Sequence, residues 1–138
     1  MGIFDSLFGK GKEDKVEVRD ASQKVPDAMS WQQLTTIEQL DAIEEQSQSV
    51  PVVIFKHSTT CGVSRMAIKQ FESEYDFAPS QLVAYYLDLK AYRDVSNEIA
   101  NRFKVHHQSP QVILIKNGAA VYDESHGSIS AGEIGAKL

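Results

Sequence analysis

Three short apolar blocks constrain what this chain can fold into. Val52-Val53-Ile54-Phe55, Leu82 to Leu87 and Val112 to Ile115 are rich in β-branched and aromatic side chains and too short for whole helices. A continuous apolar strand suits a sheet position covered on both faces, so the first block is expected to be a central strand and Leu82 to Asp88 its parallel partner. Between them, Val63, Met66, Ala67 and Phe71 have the spacing of one side of a helix, which should run to about Tyr75 before Ala78-Pro79-Ser80 breaks it. Asp94 can cap the next helix, whose Val95, Ile99 and Phe103 share a face. Gln111 to Lys116 then reads as a strand, Asn117-Gly118 as a two-residue hairpin turn, and Ala119 to Glu124 as the antiparallel return.

The flanks complete the pattern. Upstream, Asp27 to Leu34 fits a short edge strand, and Thr35 with Glu38 has capping-box spacing before a helix lined by Ile37, Leu40 and Ile43 and ended by Ser47 to Pro51. Downstream, Ser130 and Glu133 repeat that spacing, and Ile134 with Leu138 fits a short last helix weakened by Gly132 and Gly135. The order β-α-β-α-β-α-β-β-α predicts an α/β fold: a mixed sheet of four to five strands with helices on both faces.

A chain of 138 residues suffices for one domain, placed here over residues 26–138, after a flexible leader over residues 1–25. Ile3, Phe4, Leu7 and Phe8 in that leader have helical spacing that could dock on a partner, a second copy or a lipid surface; a frayed tail is the plainer reading. Met1-Gly2 with Ser6 also fits the loose N-myristoylation pattern, which is short enough to match by chance. A net charge of -5 and the absence of any Lys/Arg cluster argue against a nucleic-acid partner. No apolar run has the length of a membrane span or a secretory h-region. With one cysteine the chain cannot form an internal disulfide, and a lone thiol points to the reducing cytoplasm. The chain is expected to act as a monomer.

That cysteine, Cys61, falls where the central strand should give way to its helix, after the polar run His57-Ser58-Thr59-Thr60. Unpaired N–H groups and the helix dipole favour an anion there, so the thiolate, which is the nucleophile, is expected near neutral pH. Arg65, one turn on, could favour it further. The alternative is a buried, inert packing cysteine, against which stand the neighbours Thr60 and Gly62.

Cys61 after the central strand and Ser109-Pro110 before the hairpin together resemble the thioredoxin-like fold over roughly residues 27–138. Cys61-Gly62-Val63-Ser64 is similar to that family's Cys-x-x-Cys with serine in second place. His57-Ser58-Thr59, Ser64-Arg65-Met66-Ala67, Ser109-Pro110-Gln111 and the turn Lys116-Asn117-Gly118 resemble the YtxJ-like monothiol bacilliredoxins, bacterial proteins that take bacillithiol off protein cysteines. One departure is Gly62, where members often carry proline.

The resemblance implies a cis Pro110 facing Cys61, with Ser109 pairing its backbone to an extended substrate segment. It puts Cys61 and Ser64 in catalytic roles and Thr60, Gly62, Ser109, Pro110 and His57 at the substrate. No metal and no tightly bound cofactor is implied; bacillithiol is the co-substrate and S-thiolated proteins the clients. His57, His106 and His107 could sit at the mouth of the site, though loop or surface positions suit at least two of them. Two other readings stay open: a monothiol glutaredoxin-like [2Fe–2S] carrier, for which Ser125-His126-Gly127-Ser128 lacks the usual Gly-Gly-Asp turn, and a non-catalytic adaptor.

Overall fold

The structure, a computed structural model, describes residues 29–138. The expected leader, with its apolar residues and its boundary at residue 26, lies outside the described residues. The chain runs β1 (Trp31–Gln33), α1 (Glu38–Gln46), β2 (Val52–His57), α2 (Gly62–Glu74), β3 (Val83–Asp88), α3 (Arg93–Phe103), β4 (Gln111–Lys116), β5 (Ala119–Ser125), a 3-10 turn (His126–Ser128) and α4 (Ala131–Gly135). The strands form one five-stranded sheet in the order β1-β3-β2-β4-β5. β1 and β2 lie parallel to β3, whereas β4 is antiparallel to both β2 and β5. The expected element order and mixed sheet are therefore the observed ones.

Every residue of β2 is buried, as a central strand covered on both sides requires. Its side chains alternate between two cores. Val52 and Ile54 join Leu40 and Ile43 of α1 and Val95, Ile99 and Phe103 of α3. Val53 and Phe55 face the other way, onto Ile68 and Phe71 of α2 and Ala131 and Ile134 of α4. Full burial of a Phe55 or Phe71 side chain stabilises the fold by about 1.5–3 kcal/mol. Trp31 extends this second core: its ring lies 6.0 Å from those of Phe55, Phe71 and Tyr86, and its Nε1 donates to Glu72 Oε2 at 2.7 Å. An edge strand of three residues is thereby fixed to α2 as well as to β3.

The helix caps differ in detail from the sequence reading. The capping box of α1 is Thr36 with Gln39, not Thr35 with Glu38: Gln39 N–H donates to Thr36 Oγ1 at 3.3 Å, and Gln39 Oε1 accepts from the N–H of Thr35 and Thr36 at 2.7 and 3.0 Å. The same spacing one residue on puts Leu40 and Ile43 inward and leaves Glu38 in water. Asp94 lies in the first turn of α3 and is not its cap, which is Tyr92. Ser130 does cap α4, its hydroxyl accepting from Gly132 and Glu133 N–H, but the helix stops at Gly135 and Leu138 is exposed. Asn117 and Gly118 both have positive φ, 53° and 79°, as a hairpin turn of this kind requires.

Candidate functional site

β2 delivers the chain to the site and α2 takes it away. After His57, Ser58 to Cys61 form a tight turn in which Cys61 N–H donates to Ser58 O at 3.2 Å. Cys61 is the N-cap of α2, with φ -103° and ψ 124°, and its carbonyl accepts the first helical bond from Arg65 N–H at 3.0 Å. It stands where the strand gives way to the helix, half-buried and unpaired with any other cysteine. Gly62 is then the first helical residue. A Cβ there would meet nothing nearer than an Arg65 guanidinium nitrogen at 3.9 Å, so space does not demand glycine.

Ser64, three residues after Cys61, is fully buried. Its Oγ accepts from Ser58 N–H at 3.0 Å and lies 2.7 Å from His57 Nδ1, and among the described residues it makes no hydrogen bond to Cys61. Ser64, which the family resemblance put in a catalytic role beside Cys61, here joins the start of α2 to the end of β2. His57 likewise lies beneath the helix start and not at the mouth: it is 6% exposed, with Phe55 and Tyr86 rings 6.4 and 5.6 Å away. Burial lowers its pKa below the ordinary histidine value, against the raising effect of Asp88 and Glu72, while Arg65 adds to the lowering. The ring is therefore neutral at pH 7. Ser64→Ala would leave Ser58 N–H and His57 Nδ1 without their shared partner, a loss expected to destabilise the fold by about 1–3 kcal/mol. Urea unfolding of the two proteins measures it directly; a midpoint unchanged from wild type would show that the bonds contribute nothing.

The opposite lip comes from β4. Lys56 pairs with Gln111 across the antiparallel ladder, so Ser109 and Pro110 leave the sheet beside His57, at the end where the Cys61 turn begins. The Ser109–Pro110 bond is cis. Pro110 O accepts from His126 N–H at 3.0 Å, which ties this loop to the 3-10 turn, whereas Ser109 N–H and C=O make no hydrogen bond among the described residues. His106 is exposed and His107 half-buried on the preceding loop.

The outer face of α2 also departs from expectation. Its buried side is Ser64, Ile68 and Phe71, while Val63 is 52% and Met66 74% exposed. Ile68 and Phe71 pack into the core with Ser64 bonded on the same face, one and two turns before them, which leaves Val63 and Met66 on the outer side. Val63, Met66, Ala67 and Gln70 face His126, Gly127 and Ile129 across a cleft of about 220 Å³. A second cleft of similar size, lined by Ser30, Tyr75, Pro79 and Val83 among others, opens at the other end of the sheet, away from Cys61.

Two cations reach into the turn before Cys61. Lys90 Nζ donates to Thr60 Oγ1 at 3.1 Å, and Arg65 Nη1 to Thr59 O at 3.5 Å. Sequence reasoning passed over Lys90, which enters only because β3 runs parallel to β2 and ends beside it; Asp88 Oδ1 holds the backbone N–H of Lys90 and Ala91 at 3.2 and 3.3 Å.

A lone cysteine at a helix start, reached from the central strand and flanked by a proline loop from the next strand, is the arrangement of a thiol oxidoreductase with the thioredoxin fold. Comparison with known families narrows this: the model of the monothiol bacilliredoxin BrxC family matches residues 32–134, and the chain belongs to that family. A solved structure provisionally described as an oxidoreductase with a thioredoxin fold is 32% identical, with 75% of this chain and 89% of that one aligned at a TM-score of 0.65. Oxidised mitochondrial thioredoxin 3 of Saccharomyces cerevisiae is 20% identical, covering 78% and 93% at 0.62. The thioredoxin of Malassezia sympodialis, also 20% identical, covers 78% and 87% at 0.61. These two share the fold.

Proposed function

We propose that the protein removes a low-molecular-weight thiol, bacillithiol, from protein mixed disulfides through Cys61. The observation that carries this reading is the one half-buried thiol at the N-cap of α2, in a sequence with no second cysteine and with serine where a resolving thiol would stand. Cys61 thiolate attacks the sulfur contributed by the small thiol. The client–thiol S–S bond breaks, the client cysteine leaves as thiolate, and Cys61 keeps the small thiol as a mixed disulfide. A second bacillithiol thiolate then attacks that adduct, giving bacillithiol disulfide and returning Cys61 as thiolate. Ser109 offers its free backbone groups to an extended client segment beside Pro110, and Thr60 and Gly62 border the thiol. His57 and Ser64 hold the start of α2 in place.

The approach to the thiol supports an anionic co-substrate. Although the chain carries a net charge of -5, Lys90 and Arg65 straddle residues 59–60, next to Cys61, and bacillithiol carries the carboxylates of its malate. Exchange with such a disulfide should slow as salt rises, because exposed charges are screened within about 8 Å at physiological ionic strength. A reducing cytoplasm is the compartment in which this chemistry belongs.

The test is mass spectrometry of the wild-type protein after incubation with a bacillithiolated client. One equivalent of bacillithiol on Cys61, with free client thiol, is the expected result. A client left modified, or a protein that holds iron and sulfide and never carries the adduct, would overturn the reading.

A further inference from the structure

Lys56 is a lysine with no exposed surface, one residue before the end of the central strand. It points to the α1/α3 face, opposite His57, and its Nζ donates to Ser96 O of α3 at 3.2 Å and lies 3.3 Å from His107 Nδ1. Gln111, its register partner on β4, is equally buried and faces the same way. Its Nε2 donates to His106 O at 2.9 Å, and its Oε1 accepts from Gln108 N–H at 3.4 Å. Two paired side chains from adjacent strands therefore grip three consecutive loop residues, and the next two are Ser109 and Pro110.

We infer that Lys56 is a positioning residue which, with Gln111, clamps His106 to Gln108 and thereby sets where Ser109 and Pro110 stand relative to Cys61. The inference rests on the proposal that this segment receives the client backbone. Lys56 and His57, neighbours in β2 that point to opposite faces, then hold the two lips of one site. His57 fixes the helix start through Ser64, and Lys56 fixes the proline loop through His107.

The lysine holds that place against its own electrostatics. Burial pushes its pKa down to about 8. The groups facing it are Ser96 from α3, His107 from the loop and Gln111 from β4. Burial lowers the His107 pKa too, helped by Lys56, Arg93 and His106, so its Nδ1 can accept at pH 7, and Ser96 Oγ lies 3.5 Å from the same nitrogen. The folded chain binds fewer protons than the unfolded chain between about pH 8 and the ordinary lysine value of 10.5, so this group's contribution to stability rises with pH across that window and is unfavourable below it.

A residue of this kind can be removed without unfolding the protein. Lys56→Met should give a melting temperature at pH 7 equal to or above wild type and lose the rise between about pH 8 and 10.5. Its KM for a bacillithiolated protein client should nevertheless increase about tenfold, the scale of one hydrogen bond to a charged group, with kcat and the rate of Cys61 alkylation by iodoacetamide unchanged. His107→Leu should raise KM likewise, whereas His107→Gln, which keeps an acceptor, should restore it. A readout independent of turnover is amide hydrogen exchange, which should speed up at Gln108 and Gln111 in Lys56→Met and stay at wild-type rates over residues 58–64. Loss of KM and alkylation in parallel, unchanged exchange at those amides, or wild-type KM in His107→Leu would overturn the inference. Should the wild type release no thiol from any client, the proposed reaction fails and the exchange rates still decide whether Lys56 clamps the loop.

Discussion

Cys61→Ser is expected to reduce thiol release from a bacillithiolated client to the uncatalysed background, with no adduct on the protein. A serine hydroxyl is not ionised at neutral pH and does not exchange with a disulfide, so the substitution removes the nucleophile and not just its efficiency. The fold should survive. Cys61 is a half-buried N-cap that makes no side-chain capping bond, and serine is among the best N-caps, so the melting temperature should stay at or slightly above wild type. Release measured by thiol titration and melting followed by circular dichroism separate the two effects. Retained release would mean that the cysteine is structural and the protein an adaptor.

The frame of this site was legible in the chain because it is built from strong local signals. β-branched blocks at 52–55, 82–88 and 111–116 became β2, β3 and β4, and Asn117-Gly118 made the expected turn. The side-chain directions around the thiol were not legible, for a physical reason. Val63, Met66 and Ala67 have the period of a buried face, yet polar Ser64 goes inward because a buried histidine and a backbone N–H are waiting for its oxygen. Hydropathy cannot anticipate a hydrogen bond made across seven residues by a strand end. Lys56 was hidden in the same way: in a run reading Val-Val-Ile-Phe-Lys-His it looks like the polar end of a strand, and its partners Ser96 and His107 lie 40 and 51 positions away. Pro110, by contrast, was recognised from its place in the family pattern, and the antiparallel register of β4 on β2 brings it to the end of the sheet where Cys61 lies.

The geometry around Ser64 also determines what a second thiol would do. In Ser64→Cys the new sulfur would occupy the third helical position, facing the N-cap residue Cys61 as the two ends of a capping box face each other. A thiol is a poor acceptor and a weak donor, so the bond from Ser58 N–H and the bond to His57 Nδ1 both weaken and the reduced protein should lose about 1 kcal/mol of stability. The chemistry changes in kind. His57, kept neutral at pH 7 by burial, lies within hydrogen-bond distance of the side-chain oxygen that the new sulfur replaces and can take the thiol's proton through Nδ1. The thiolate thus formed at position 64 attacks Cys61 Sγ in the mixed disulfide, the small thiol leaves as thiolate, and an internal disulfide between positions 61 and 64 replaces the adduct. Mass spectrometry should then find bound bacillithiol falling from one equivalent to near zero, with a chain lighter by two hydrogens. Turnover should come to need an external dithiol reductant in place of a second bacillithiol. A stable adduct on Cys61 beside a free thiol at position 64 would show that the two side chains cannot meet, and that Ser64 closes no chemical route that a cysteine would open.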